Sequence, residues 1–268
     1  MNTSERFLEH ALGKFYYQVD GPQDAPAIIF SHGVAMDHRT FDDQVEDLKA
    51  SYRTITWDMP YHGRSDTIDK DLSFSKTATE LVLAIMDEMG IDQAFHAGLS
   101  LGSFVVQRFS SLYPDLVLGE IHISGGPLHP KFPAILKSMI PFTSLFMKLY
   151  PSKPMARTFA KHKALDPDTI KYLIETVENT GKDAITHLTN EMVRDMVAGV
   201  PEPSSKPNLV VLGDHDLSFI IKMSKAWHNR LPNSELAMVE NAHHILNQDN
   251  PTEFNAVLIK FLERIQQS

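Results

Sequence analysis

Short apolar runs alternate with helix-period segments along most of this chain, and no other feature limits its fold as much. Residues 15–19, 27–30, 54–57, 94–97, 116–123, 209–212 and 236–239 read as strands. Between them, 75–89, 103–112 and 251–265 read as helices. Leu81, Ile85 and Met89 share one face of the first, Gly90 closes it, and Pro251 opens the last. Successive parallel strands need a crossover, which a helix supplies. The alternation therefore predicts an α/β fold, a mostly parallel sheet covered by helices on both faces.

The rhythm breaks once. Residues 127–200 lack a strong strand signal. Prolines punctuate their first half, from Pro127 to Pro167. Ile170, Leu173, Ile174 and Val177 then line one helical face, and Ile185, Leu188, Met192 and Met196 another. Because strand character resumes at Leu209, 127–200 reads as a helical cap inserted into one core domain made of 1–126 and 201–268. The alternative is two domains joined near residue 200.

Composition removes several classes of function. The chain of 268 residues is 43% apolar and 22% charged, as an ordinary globular protein is. No run approaches the roughly 20 apolar residues of a membrane span. The net charge of -9 repels phosphate backbones and argues against nucleic acid as a partner. With no cysteine, disulfides, thiolate metal sites and thiol catalysis are all excluded. The first residues show no basic segment followed by an apolar run, so no signal peptide is read and a cytoplasmic location is expected.

Three segments contain residue types capable of chemistry. Gly98-Leu99-Ser100-Leu101-Gly102 lies between strand 94–97 and helix 103–112, where a sharp turn would expose the Ser100 hydroxyl and the glycines would leave room for the turn. His32-Gly33-Val34 follows strand 27–30. Acyl transfer needs two N–H donors for a developing oxyanion, and the backbone amides of Val34 and Leu101 are the natural pair, with His32 a structural hydrogen-bonder. Asp58-Met59-Pro60-Tyr61-His62-Gly63-Arg64-Ser65 contains acid, base and serine, but its Pro, Gly and short polar residues read better as a tightly shaped loop.

Taken together, the strand followed by His32-Gly33, the Asp58-x-Pro60-x-His62-Gly63-x-Ser65 loop and Gly98-x-Ser100-x-Gly102 resemble the α/β-hydrolase superfamily over nearly the whole chain. Tyr61 stands where that superfamily usually has Gly, a departure expected to alter loop shape more than chemistry. The resemblance implies the chain order serine, acid, histidine. An acid is then expected after strand 209–212, where Asp214 and Asp216 compete. Gly213-x-x-Asp216 resembles the usual placement and selects Asp216, leaving Asp214 to shape the turn. A base is expected after the last strand. Counting back from Asp249 and Pro251 selects His244, with His243 in place of the usual Gly.

Ser100, Asp216 and His244 would supply nucleophile, orienting carboxylate and base. A serine elbow disfavours haloalkane dehalogenase or epoxide hydrolase chemistry, since those relatives use Asp there. The leading expectation is hydrolysis of a carboxylic ester or lactone through an acyl-serine. The string 98–102 is similar to that of 3-oxoadipate enol-lactonases. Carbon–carbon bond hydrolases and thioesterases share the triad, and a non-catalytic binding protein of this fold is the alternative from another class. No cofactor or metal is implied, since no His-x-His-x-Asp or His-Glu-x-x-His spacing accompanies His243 and His244. The partner implied is a small molecule. The apolar cap residues Phe132, Ile135, Leu136, Met139, Ile140, Phe142, Leu145, Phe146, Met147 and Leu149 would roof a greasy pocket, seal the cap against the sheet, or form a homodimer contact.

Overall fold

The structure, a computed structural model, describes residues 3–149, 152–201 and 204–267. The chain runs β1 (Ser4–His10), β2 (Gly13–Asp20), β3 (Ala27–Ser31), α1 (Asp42–Leu48), β4 (Arg53–Trp57), α2 (Phe74–Met89), β5 (Ala94–Leu99), α3 (Leu101–Leu112) and β6 (Val117–Ile123). Four helices follow: α4 (Ile140–Leu149), α5 (Ser152–Lys161), α6 (Pro167–Thr180) and α7 (Lys182–Ala198). The sheet resumes with β7 (Asn208–Gly213), α8 (Ser218–His228), β8 (Ser234–Val239), the short α9 (Leu246–Asp249) and α10 (Pro251–Gln266).

The eight strands form one sheet in the order β1-β2-β4-β3-β5-β6-β7-β8. The β1–β2 and β2–β4 pairs are antiparallel, and every other neighbour is parallel. Each residue of β3 is buried, because both faces are covered. Its Ile29 packs into a core shared with Leu81 of α2 and Val105 of α3. Ile28 and Phe30 point to the other face and meet Leu258 and Phe261 of α10. Gly90 ends α2 at φ 61, its N–H returning to the Met86 and Asp87 carbonyls.

Two glycines set how closely α3 meets the sheet. A Cβ on Gly102 would lie 2.0 Å from the Ser31 carbonyl oxygen at the end of β3, and one on Gly98 would lie 2.4 Å from the Gly102 carbonyl carbon. Only hydrogen fits at either position. The N-terminus of α3 therefore seats directly on the carboxyl ends of β3 and β5, where open α/β sheets hold their ligands.

The helices α4–α7 sit between β6 and β7 and are fastened to the core by polar groups. Buried Asp195 of α7 accepts from Ser75 Oγ (2.7 Å) and pairs with Arg108 of α3 (3.3 Å). Tyr172 of α6 accepts from the Asp37 N–H (3.0 Å). The apolar segment that begins this region does not all turn inward. Ile135 is 76% exposed, Phe142 75% and Leu149 74%, with Leu145 exposed as well. A helix that is apolar around most of its circumference can bury only one stripe, so these side chains do not seal the helical region against the sheet. Pro151 and the side chains of Met139, Phe146 and Met147 lie outside the described residues.

Gly102→Ala should destabilise the protein by about 3 kcal/mol or more, because the clash is with rigid backbone. Gly90→Ala meets no atom within 4 Å and should cost only about 1 kcal/mol for the left-handed φ. Urea unfolding followed by circular dichroism compares the two; equal losses would mean that the close seating of α3 is not what Gly102 provides.

Candidate active site

Ser100 stands between β5 and α3 at φ 53 and ψ −108. An L-residue reaches that conformation only when its surroundings hold it there. Its N–H donates to the Ile123 carbonyl (2.9 Å), and its carbonyl accepts from the Ser103 N–H (3.1 Å). The half-buried side chain projects at the start of α3, where the first N–H groups of a helix have no partners within it. Gly33 lies against it: a Cβ there would be 3.4 Å from Ser100 Cβ and 3.0 Å from Met36 Cε. Neither the Val34 nor the Leu101 N–H donates to any described residue.

Two buried histidines shape the loop that carries Val34. His32 Nδ1 donates to the Gly33 carbonyl (2.8 Å), and its Nε2 accepts from the Met59 N–H (2.9 Å). His62 Nδ1 donates to the Pro60 carbonyl (3.0 Å) while Nε2 accepts from the Ala35 N–H (3.0 Å). Each ring needs one bare nitrogen to do this, so both are neutral. Burial agrees, pushing His32 down to about 3 and His62 to about 4. Asp58 is likewise committed to structure. It accepts from the His38 and Arg64 N–H groups, both at 2.8 Å, and a Cβ on Gly63 would strike its carboxylate at 2.2 Å. Tyr61, in place of the usual glycine, takes φ 74. Its hydroxyl donates to the Ile68 carbonyl (2.5 Å), and its ring lies 5.2 Å from that of His187 on α7.

Asp216 and His244 come together from the loops after β7 and β8. His244 Nδ1 donates to Asp216 Oδ2 (3.0 Å) and Oδ1 (3.2 Å), and both residues are buried. The carboxylate can only accept, so the proton sits on Nδ1 and Nε2 keeps its lone pair. Burial lowers His244 to about 4, and the Lys163 ammonium adds to the effect against the pull of Asp216. Burial works to raise Asp216, but the hydrogen bond and charge of His244 and the Leu217 N–H outweigh it and hold the group below its ordinary value. Asp214 does not face His244. It accepts from the Ala242 N–H (3.0 Å) and His215 Nδ1 (2.7 Å), which shapes the turn. His243 supports the loop too, its Nδ1 accepting from the His244 N–H (2.8 Å).

Ser100 and His244 are not hydrogen-bonded to each other among the described residues. Such contacts commonly tighten only when substrate is bound. No group of three His, Asp or Glu side chains that could hold a metal occurs among the described residues, and no described helix is long and apolar enough to cross a membrane. Spacing alone did not reveal two neighbours of the site. Asp249 accepts from the His243 N–H (2.8 Å) and from the N–H groups of Leu165 (2.9 Å) and Asp166 (3.0 Å), which ties the helical region to the His244 loop. Lys163 is held in the same turn. Both relations join segments distant in sequence, and no local pattern announces them.

Comparison with known proteins places the chain among relatives. A family model described as alpha/beta hydrolase fold matches residues 26–251. The chain is 26% identical to 3-oxoadipate enol-lactonase 1 of Acinetobacter baylyi, over 93% of each chain. It is 23% identical to an uncharacterized carboxylesterase of Bacillus subtilis, over 95% of this chain and 85% of that one. Among solved structures, the enol-lactonase from Burkholderia xenovorans LB400 superposes with a TM-score of 0.81 at 18% identity, over 96% of this chain and 100% of that one, a likeness of fold.

If burial governs His244, its imidazole should stay neutral through the neutral range and take a proton only near pH 4. An NMR titration of the imidazole resonances measures this. A midpoint near the ordinary histidine value, roughly 6.5, would contradict the buried pair.

Proposed function

Because this chain belongs to the α/β-hydrolase fold family, we propose that it cleaves a carboxylic ester or lactone through an acyl-serine intermediate, with Ser100, His244 and Asp216 as nucleophile, base and orienting carboxylate. The chain is a hydrolase of ester bonds; its serine mechanism, residue roles and choice of substrate are our reading. The observation that carries it is the half-buried Ser100 held at φ 53 at the start of α3, in a protein whose buried His244–Asp216 pair leaves a neutral imidazole nitrogen bare.

In this mechanism Ser100 Oγ attacks the substrate carbonyl as His244 Nε2 takes its proton. The oxyanion is met by the N–H groups of Val34 and Leu101, which have no described partner in the structure. The tetrahedral intermediate collapses, His244 returns the proton to the departing alkoxide, and the acyl group stays on Ser100. For a lactone the alcohol remains tethered to the acyl group. Water then attacks with His244 again as base, the acyl–Oγ bond breaks as His244 returns that proton to Ser100 Oγ, and the acid leaves. Asp216 keeps the tautomer that leaves Nε2 free and stabilises the cation formed in each half. Helices α4–α7 form a cap over this edge of the sheet, and 127–200 is one insertion in a single core. We place the protein in a reducing cytoplasm, consistent with its lack of cysteine. In the same reading, the exposed face around Phe142 and Leu145 is where a second copy would dock.

Ser100→Ala should cut turnover of a chromogenic short-chain ester by on the order of 10⁶ while the circular dichroism is retained. A serine-directed phosphonate should inactivate the wild type. Near-normal activity in the folded variant would reject the mechanism.

The two aspartates separate in a second experiment. Asp216→Asn should lose roughly 10⁴-fold near neutral pH, Asp214→Asn far less. His244→Gln should be inactive, while His243→Gln retains measurable turnover. Since neutral His244 is the active form, kcat/KM should hold down to about pH 5 and fall as pH drops through about 4. A larger loss for Asp214→Asn than for Asp216→Asn would reverse the assignment.

A further inference from the structure

Residues 121–165 contain no Asp or Glu, in a chain whose net charge is -9. Seven of its 25 Lys and Arg fall in that stretch, from Lys131 to Lys163, which leaves 18 against all 34 acids elsewhere. The stretch therefore carries a positive field of its own, opposite in sign to that of the whole chain. Lys131, Lys137, Arg157 and Lys161 are exposed. None of the four forms an ion pair among the described residues.

The same stretch holds the three most exposed large apolar side chains among the described residues, Ile135, Phe142 and Leu149. Phe142, Leu145 and Leu149 stand at i, i+3 and i+7 and share one face of α4. Ser144 lies on the opposite face, where its Oγ accepts from Asn190 Nδ2 of α7 (2.9 Å). α4 thus sets its back on α7 and turns its apolar side to water. Side chains that project this far need either a partner with matching hollows or a medium that deforms around them. Acyl chains deform, and anionic headgroups above them would meet the cations. The 10 residues of α4 reach about 15 Å, half of the roughly 30 Å of a bilayer core. Such a helix does not span; it lies in the interface with its apolar face down.

We propose that the outward face of α4, with the basic stretch that carries it, seats the protein on the surface of an anionic phospholipid bilayer. The inference concerns where the chain sits, not what it cleaves, so it stands apart from the reading of Ser100. A second copy on this face would bring the same basic stretch against itself, and it would have to leave before the face met lipid.

The test is co-sedimentation of the full chain with vesicles of phosphatidylcholine alone, and of phosphatidylcholine with about 30% phosphatidylserine, in low and in high salt. The wild type should bind the anionic vesicles roughly 10- to 100-fold more tightly, the effect of a few engaged cations, and high salt should remove most of the difference. Phe142→Ser/Leu149→Ser should weaken binding to the anionic vesicles by about 10-fold or more. Lys137→Gln/Lys161→Gln should weaken it chiefly in low salt. All four side chains are exposed, so circular dichroism should match the wild type. Wild-type protein that binds neither vesicle, or both alike, would overturn the proposal. So would anionic-vesicle binding that the Phe142→Ser/Leu149→Ser variant leaves unchanged, since another surface would then be responsible. Light scattering reports the second copy: a dimer broken by the same variant, in a protein that ignores anionic vesicles, gives the face to self-association and overturns the membrane assignment.

Discussion

The close approach of α3 to the ends of β3 and β5 is the constraint on which the rest of this edge depends. The backbone at Ser100 is strained, a cost of about 1–3 kcal/mol, and it is offset because the turn is bonded to Ile123 on one side and Ser103 on the other. The turn closes only if positions 98 and 102 carry no side chain. A methyl at Gly102 would fall 2.0 Å from the Ser31 oxygen. The same device seats the histidine loop, since a Cβ on Gly213 would fall 2.2 Å from the His243 carbonyl oxygen and 2.3 Å from that of Ala242. Groups distant in the sequence thus gather at one sheet edge by backbone-to-backbone packing, which is stiffer than side-chain packing.

Around this edge burial keeps His32, His62 and His244 neutral. His32 and His62 hold loop amides with bare nitrogens, and protonating either would set a donor against a donor. Burial makes that expensive and keeps both rings in the form the loop needs. His244 is subject to the same burial, but its bare nitrogen is not spent on an amide. The fold therefore keeps these three histidines neutral by one physical means, and of the three His244 alone does not spend its bare nitrogen on a backbone amide.

How much of this was legible follows from where each signal resides. Strands buried on both faces are continuous apolar runs, as in Leu209-Val210-Val211-Leu212, and announce themselves. β1 does not: only Leu8 is buried there, and its place comes from pairing with β2. α8 escapes for a like reason, with only Ser224 and Trp227 buried along its length. The Ser100 turn is local and readable because five adjacent residues specify it. Choosing between Asp214 and Asp216 rests on spacing in the sequence, whereas the structure decides which carboxylate faces His244 by a bond across 28 positions. Asp249 served in the sequence only as a register mark, and its hold on Leu165 spans 84 positions. No periodicity encodes such a contact. The outward turn of Ile135 and Phe142 was equally unreadable, since apolar character says nothing about which side of an isolated helix is covered.

Those long-range bonds also decide how helices α4–α7 are fastened to the loops at this sheet edge. The turn at residues 163–166 is tied through Asp249 to the His244 loop, and α6 is tied through Tyr172 to Asp37, in the loop that carries Val34. α7 is tied to α2 and α3 through Asp195, Ser75 and Arg108. α4 instead packs on α7 and leaves apolar side chains in water. The helical region is therefore anchored most firmly where it meets the loops that present the imidazole and the amides. Removing the Asp249 carboxylate would leave the part-buried Asp166 and His243 N–H groups unpaired, at about 1–3 kcal/mol each, while the exposed Leu165 N–H could turn to water. The bonds that fasten α6 and the turn before it are thus made to the loops that carry His244 and Val34, so neither side can shift without disturbing the other.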